Sequence, residues 1–112
     1  MRLLTLITIA TTFLGSAVFA EVRLPPGEAM KFATAKVQPE YTTIAKQMKV
    51  SGRADIEVVI ALDGTIESVK ALAGNPLLTG PAVTAVKKWK FSPIVVEGQP
   101  VKAVTTFAFD FK

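Results

Sequence analysis

The sequence predicts an α+β domain, a three-stranded antiparallel sheet with two helices on one face in helix-β-β-helix-β order. Three observations carry that prediction. An amphipathic run from Leu78 to Trp89 ends where Phe91 and Pro93 turn the chain toward a strand. Asp63-Gly64 separates two stretches of strand character. The segment from Val101 onward alternates cleanly, with Val101, Ala103, Thr105, Phe107, Phe109 and Phe111 on one face and Lys102, Thr106 and Asp110 on the other.

Residues 1–20 open with Met1-Arg2, an apolar run from Leu3 to Leu14, a Gly15-Ser16 break and Ala17-Val18-Phe19-Ala20. The small residues before Glu21 suit a signal peptidase, so the segment reads as a cleaved secretory signal. The alternative is an uncleaved inner-membrane anchor. It is weaker because threonines and serines dilute the run, which barely reaches the ~20 residues a spanning helix needs. Residues 21–36 carry Pro25-Pro26-Gly27 and mixed charges without a sustained period, which predicts an extended leader of at most about 50 Å at ~3.3 Å per residue.

The folded domain is expected over residues 37–112. Pro39 is suited to start a helix, with Tyr41, Ile44, Ala45 and Met48 on one face, and Ser51-Gly52 ends it. Ala54, Ile56, Val58 and Ile60 then alternate with polar neighbours as the buried face of a strand. Leu62-Asp63-Gly64-Thr65 supplies the left-handed glycine of a tight hairpin. On the return strand Ile66, Val69 and Leu72 are spaced by three, which predicts a bulge near Glu67-Ser68. After Gly74-Asn75-Pro76, Thr79 is the expected cap of a second helix with Pro81 in its first turn and Leu78, Ala82, Ala85, Val86 and Trp89 inward. Glu97-Gly98-Gln99-Pro100 turns the chain into the last strand.

Composition narrows the chemistry. With 112 residues, half of them hydrophobic, seven Phe and one Trp, the chain closes one core. It has no cysteine and no histidine, which removes disulfides, a thiol nucleophile, and the commonest general base and metal ligand. Asp55, Glu57, Asp63, Glu67 and Asp110 fall on strand faces or turns that no pocket gathers, and Ser51, Ser68 and Ser92 have no base at a supporting spacing. Neither a glycine-rich phosphate loop nor an acidic calcium loop is present. The expectation is a protein that is not an enzyme, has no cofactor, metal, small-molecule substrate or nucleic acid, and acts by binding. The formal charge of +4, one unit of which is Arg2, suggests anionic surroundings and nothing sharper. Lys87, Lys88 and Lys90 complement the negative end of the second helix.

Gln38, Pro39 and Tyr41 ahead of the first helix, Gly52 before the first strand, Asp63-Gly64 in the hairpin, Ala82 and Ala85 in the second helix, Trp89, Phe91 and Pro93 after it, and Gly98, Pro100 and Val101 before the last strand occur in one order. That series resembles the TonB C-terminal domain family, the receptor-binding part of TonB-like energy transducers, and covers Val37 to Lys112. The resemblance implies a periplasmic domain that captures the short N-terminal box of an outer-membrane TonB-dependent transporter as an added strand. Three departures stand out. Thr42 replaces the second proline of the tyrosine motif, so this segment is expected to be less rigid. The histidine through which transducers couple to a motor is absent, and the long proline-rich spacer is missing. A free-standing receptor-binding end is therefore expected.

A three-stranded sheet has two edges able to take an extended peptide through main-chain hydrogen bonds. Trp89, Phe91, Phe107, Phe109 and Phe111 read first as core, and Gly52, Gly64 and Gly98 as turn residues. The expected partner-binding residues are Gln38, Pro39 and Tyr41 with the backbone of the last strand, represented by Val101, Ala103 and Thr105. Tyr41 has an inward-packing alternative. The competing function is a self-associating structural module of the cell envelope, a homodimer formed through the same strand.

Overall fold

The computed structural model describes residues 21–112. The signal and anchor readings of residues 1–20 lie outside the described residues. Among the described residues, no helix is long and apolar enough to cross a membrane.

The three expected antiparallel strands form the centre of the molecule. β3 (Gly52–Ile60) pairs antiparallel with β4 (Ile66–Ala73) on one side and with β7 (Gln99–Phe111) on the other, from Gly52 opposite Phe111 to Ile60 opposite Ala103. Ala54, Ile56, Val58 and Ile60 are wholly buried, as their alternation requires. In the hairpin, Gly64 takes φ +90°. The Asp63 carboxylate accepts from the Thr65 amide at 3.0 Å and from its hydroxyl at 2.7 Å. Val59 lies opposite Ser68 and Ile60 opposite Ile66, so Glu67 is the extra residue of the expected bulge.

Helix α3 (Pro76–Val86) closes one face of the sheet with Leu78, Ala82, Ala85 and Val86, and Trp89 follows them into the core. Full burial of side chains such as Ile56, Ile60 and Leu78 is worth about 1.5–3 kcal/mol each. The helix starts earlier than expected. Asn75, not Thr79, is its cap, accepting from the Leu77 amide at 2.9 Å, and Pro76 occupies the first turn. Thr79 is buried and Pro81 is interior, where its missing N–H leaves the Leu77 carbonyl without the usual helical donor.

The first expected helix is shorter and faces differently. α2 spans only Thr43–Gln47, and Pro39 precedes it in a segment without regular secondary structure. Thr42, the departure from the tyrosine motif, is the cap, its hydroxyl oxygen accepting from the Ala45 amide at 3.2 Å. Little more than one turn of helix cannot carry a periodic face. Ala45 is buried, while Ile44 and Met48 are 57% and 63% exposed.

The segment expected as an extended leader, residues 21–36, carries short elements. Its residues form β1 (Glu21–Arg23), α1 (Pro26–Met30) and β2 (Ala33–Ala35). β1 runs parallel to β7, with Glu21, Val22 and Arg23 opposite Lys102, Ala103 and Val104. α1 plants Ala29 in the core, and β2 pairs with β5 (Lys90–Phe91). Elements of three to five residues are too short to show a period, and they gain order only from what they pack against. β6 (Ile94–Val96) folds back on β7 through Glu97-Gly98, both at positive φ. The main sheet therefore has the order β1-β7-β3-β4, with β6 also paired to β7, and exceeds the three strands expected.

Candidate functional site

β7 is the longest strand, and the two sides of its backbone are used differently. The Leu24 amide donates to the Val104 carbonyl at 2.9 Å, so Val104 directs its main-chain groups toward β1. Within a strand these groups alternate sides residue by residue. Lys102, Val104, Thr106, Ala108 and Asp110 thus form an outer row, while Ala103, Thr105, Phe107, Phe109 and Phe111 bond toward β3. β1 covers Lys102 and Val104. Among the described residues nothing pairs with the outer row beyond Val104, so Thr106, Ala108 and Asp110 present an open edge. Ala108 and Asp110 are exposed.

The strand residues of the expected site, Val101, Ala103 and Thr105, have their main-chain groups engaged within the sheet. Val101 is already paired with Ile94 of β6. Ala103 lies between Ile60 and Val22, and Thr105 is buried opposite Val58. The main-chain groups of Ala103 and Thr105 serve the β3 ladder. The free groups belong to the intervening even-numbered residues further along the strand.

Gln38, Pro39 and Tyr41 stand together beside that open half. A groove of about 260 Å³ runs between them and the segment Ala108 to Lys112. A second groove of about 440 Å³, lined by Met30, Lys36, Val37, Trp89 and Phe109, shares Gln38 with the first. Gln38 is exposed, Pro39 and Tyr41 half-buried. Tyr41 packs inward and also borders the groove. Its hydroxyl donates to the Val50 carbonyl at 2.6 Å and its ring meets Phe111 edge-on at 5.6 Å, yet it also borders the groove.

The aromatic anchors hold this wall in place. Trp89 packs against Phe107 and Phe109 with ring centroids 5.0 and 5.9 Å apart, and its indole Nε1 donates to the Val37 carbonyl at 2.8 Å. That bond fixes the segment leading to Gln38 beside the end of β7. Gly64 approaches the backbone of Phe91 and Ser92 so closely that a Cβ there would collide with the Phe91 carbonyl oxygen. The hairpin glycine and the Trp-Phe-Pro segment are thus in direct contact.

Four of the five carboxylates considered for catalysis, Asp55, Glu57, Asp63 and Glu67, have structural partners. Asp55 binds Arg53 at 2.8 Å, Glu57 meets Arg23 at 3.5 Å, and Glu67 meets Lys102 at 2.8 Å. Hydrogen bonds from the Thr65 hydroxyl and amide hold Asp63 below the usual carboxylate range. The hydrogen bond to Glu67 raises Lys102. Among the described residues, no three acidic groups are placed to hold a metal ion.

A family model described as the C-terminal region of the Gram-negative bacterial TonB protein matches residues 37–112. The chain belongs to the TonB C-terminal family. Protein TonB of Vibrio cholerae is 33% identical over 70 residues, which is 61% of this chain and 29% of that protein. The chain thus spans under a third of that curated TonB. The solution structure of the Pseudomonas aeruginosa TonB C-terminal domain matches with a TM-score of 0.60 and 27% identity, covering 71% of this chain and 83% of that one. The mixed α+β fold is that of the TonB domain. The family match begins at Val37, so β1, α1 and β2 precede it.

Proposed function

We propose that this chain is a periplasmic protein-binding module that receives an extended segment of an outer-membrane transporter as an added strand on the open half of β7. The observation that carries the reading is the unpaired outer row of Thr106, Ala108 and Asp110 beside the groove of Gln38, Pro39 and Tyr41. Membership of the TonB family supplies the class of partner. An added strand gains its affinity from main-chain hydrogen bonds, and the groove supplies what selectivity there is. The domain acts by binding, without catalysis.

The test is Ala108→Pro with synthetic peptides of about ten residues copying the periplasmic N-terminal segments of outer-membrane transporters. Ala108 directs its N–H away from β3, so proline removes an edge donor and leaves the internal ladder whole. Stability stays within about 1 kcal/mol of wild type, while peptide affinity falls at least about tenfold. Equal binding by both proteins, or none by wild type at high micromolar peptide, refutes the proposal. The same open row is available to a second copy of the chain. Sedimentation velocity showing a monomer at every concentration removes that self-associating alternative.

A further inference from the structure

The outer row of β7 has an occupant supplied by the chain itself. β1 lies on it in parallel register, Leu24 extends the pairing with its bond to the Val104 carbonyl, and Pro25 then ends it because proline has no N–H to donate. Among the described residues, Glu21 to Arg23 and the Leu24 amide make up the pairing. Glu21 and Arg23 are exposed, and Val22 is half-buried. Leu24 packs part-buried against the core, and the remaining side-chain fastenings are ion pairs at the surface, Glu21 with Lys102 at 3.4 Å and Arg23 with Glu57 at 3.5 Å. Surface pairs of this kind contribute little and weaken with salt. Lys102 is also shared with Glu67, which it meets at the shorter 2.8 Å.

We propose that β1 is a displaceable strap, an internal strand that occupies half of the partner-binding edge and competes with the incoming segment for Lys102 and Val104. The proposal rests on the reading of β7 as the partner-binding strand and adds its regulation. With the strap in place the edge offers Thr106, Ala108 and Asp110. With the strap lifted it also offers Lys102 and Val104, reaching back to where β6 pairs at Val101. A partner long enough to use the whole row must displace β1, and its apparent affinity is reduced by the fraction of molecules in which the strap is closed. α1 and β2 stay anchored through Ala29 and the pairing with β5, so the strap opens at Pro25 while both of those elements keep their places.

Two variants and one measurement on the free protein test this. Val22 and Leu24 direct their main-chain groups to β7, so Val22→Pro removes a strap donor outside the core. The chain has no native cysteine. Glu21→Cys with Lys102→Cys therefore closes the strap by a single disulfide between directly opposed residues, and the reduced form of the same protein is its control. Against the transporter-segment peptides, Val22→Pro binds about threefold or more tighter than wild type, and the oxidised double variant about tenfold or more weaker than its reduced form. In the free wild-type protein, the Val22, Leu24 and Val104 amides exchange with solvent at least about a hundredfold faster than that of Ile56. Peptide binding that ignores both variants overturns the strap and leaves the edge reading standing. Binding by none of the proteins overturns both. Exchange at Val22 and Leu24 as slow as at Ile56 overturns the strap whatever the peptides do.

Discussion

Replacing Gly64 by alanine measures how firmly the hairpin is seated on the loop after α3. A Cβ there would collide with the Phe91 carbonyl oxygen and stand 2.9 Å from the Ser92 carbonyl carbon. Both are backbone atoms, so no side chain can swing aside. Gly98 is the internal control, since it too has positive φ, +81°, but nothing lies within 4 Å of where its Cβ would stand. An L-residue held in the left-handed region costs about 1–2 kcal/mol at either position. Overpacking against fixed backbone adds about 1–3 kcal/mol at Gly64 alone. Gly98→Ala should therefore lose about 1–2 kcal/mol and Gly64→Ala about 2–5 kcal/mol. At roughly 4–8 °C per kcal/mol for a domain of this size, Tm falls by about 8–40 °C at Gly64 and about 4–16 °C at Gly98. Urea denaturation followed by the fluorescence of Trp89, the single tryptophan, gives both losses, and an unchanged denaturant slope confirms that the same surface is exposed on unfolding. Equal losses at the two glycines would refute the close seating of the hairpin.

Thr105 is wholly buried, and among the described residues its hydroxyl has no hydrogen-bond partner. Thr105→Val, nearly the same shape, should stabilise the protein by about 1–2 kcal/mol in thermal unfolding, and a loss would mean that the hydroxyl is satisfied. Trp89→Phe removes the bond to the Val37 carbonyl and part of the aromatic packing, costing about 2 kcal/mol and speeding amide exchange from Val37 to Tyr41, whereas exchange unchanged there would sever Trp89 from the groove. Asp63 is held below its ordinary value by Thr65, so its stabilising contribution is present above the unfolded value of about 3.9 and fades as pH falls through the lower folded one. Asp63→Asn should differ from wild type near neutral pH and converge with it in acid, and a constant difference across the range would refute that linkage.

The central fold is legible because its signals are long enough to repeat. β3 and β7 each carry several alternations, and α3 carries three turns of inward residues, so Ile56, Ile60, Leu78, Val86, Phe107 and Phe111 are buried where the pattern puts them. Glu67 was legible as a bulge because the inward residues around it were spaced by three. Legibility fails where an element is too short to have a period. β1, α1 and β2 owe their order to β7, the core and β5, partners distant in sequence that no local pattern announces. At α3, Asn75-Pro76 is both a turn signal and a complete helix start, and the turn signal alone places the cap at Thr79 instead of Asn75.

The candidate site divides along the same line, for a geometric reason. Gln38, Pro39 and Tyr41 line the groove through their side chains, which sequence motifs record. The strand half depends on main-chain direction. Along β7 the side chains alternate between faces of the sheet while the amides and carbonyls alternate between its edges, both with a period of two. The Phe-rich alternation reveals the first phase but not the side on which β3 lies, which is set by topology. Once β3 takes the odd-numbered residues, Ala103 and Thr105 are committed to the ladder, and the free groups fall to Thr106, Ala108 and Asp110. Substitutions at odd positions of β7 therefore probe the core, whereas main-chain changes at even positions beyond Val104 probe the edge. Proline separates the two cleanly, since at Ala108 it removes an outward donor and at Phe107 it would remove an inward one and break the pairing with Ile56.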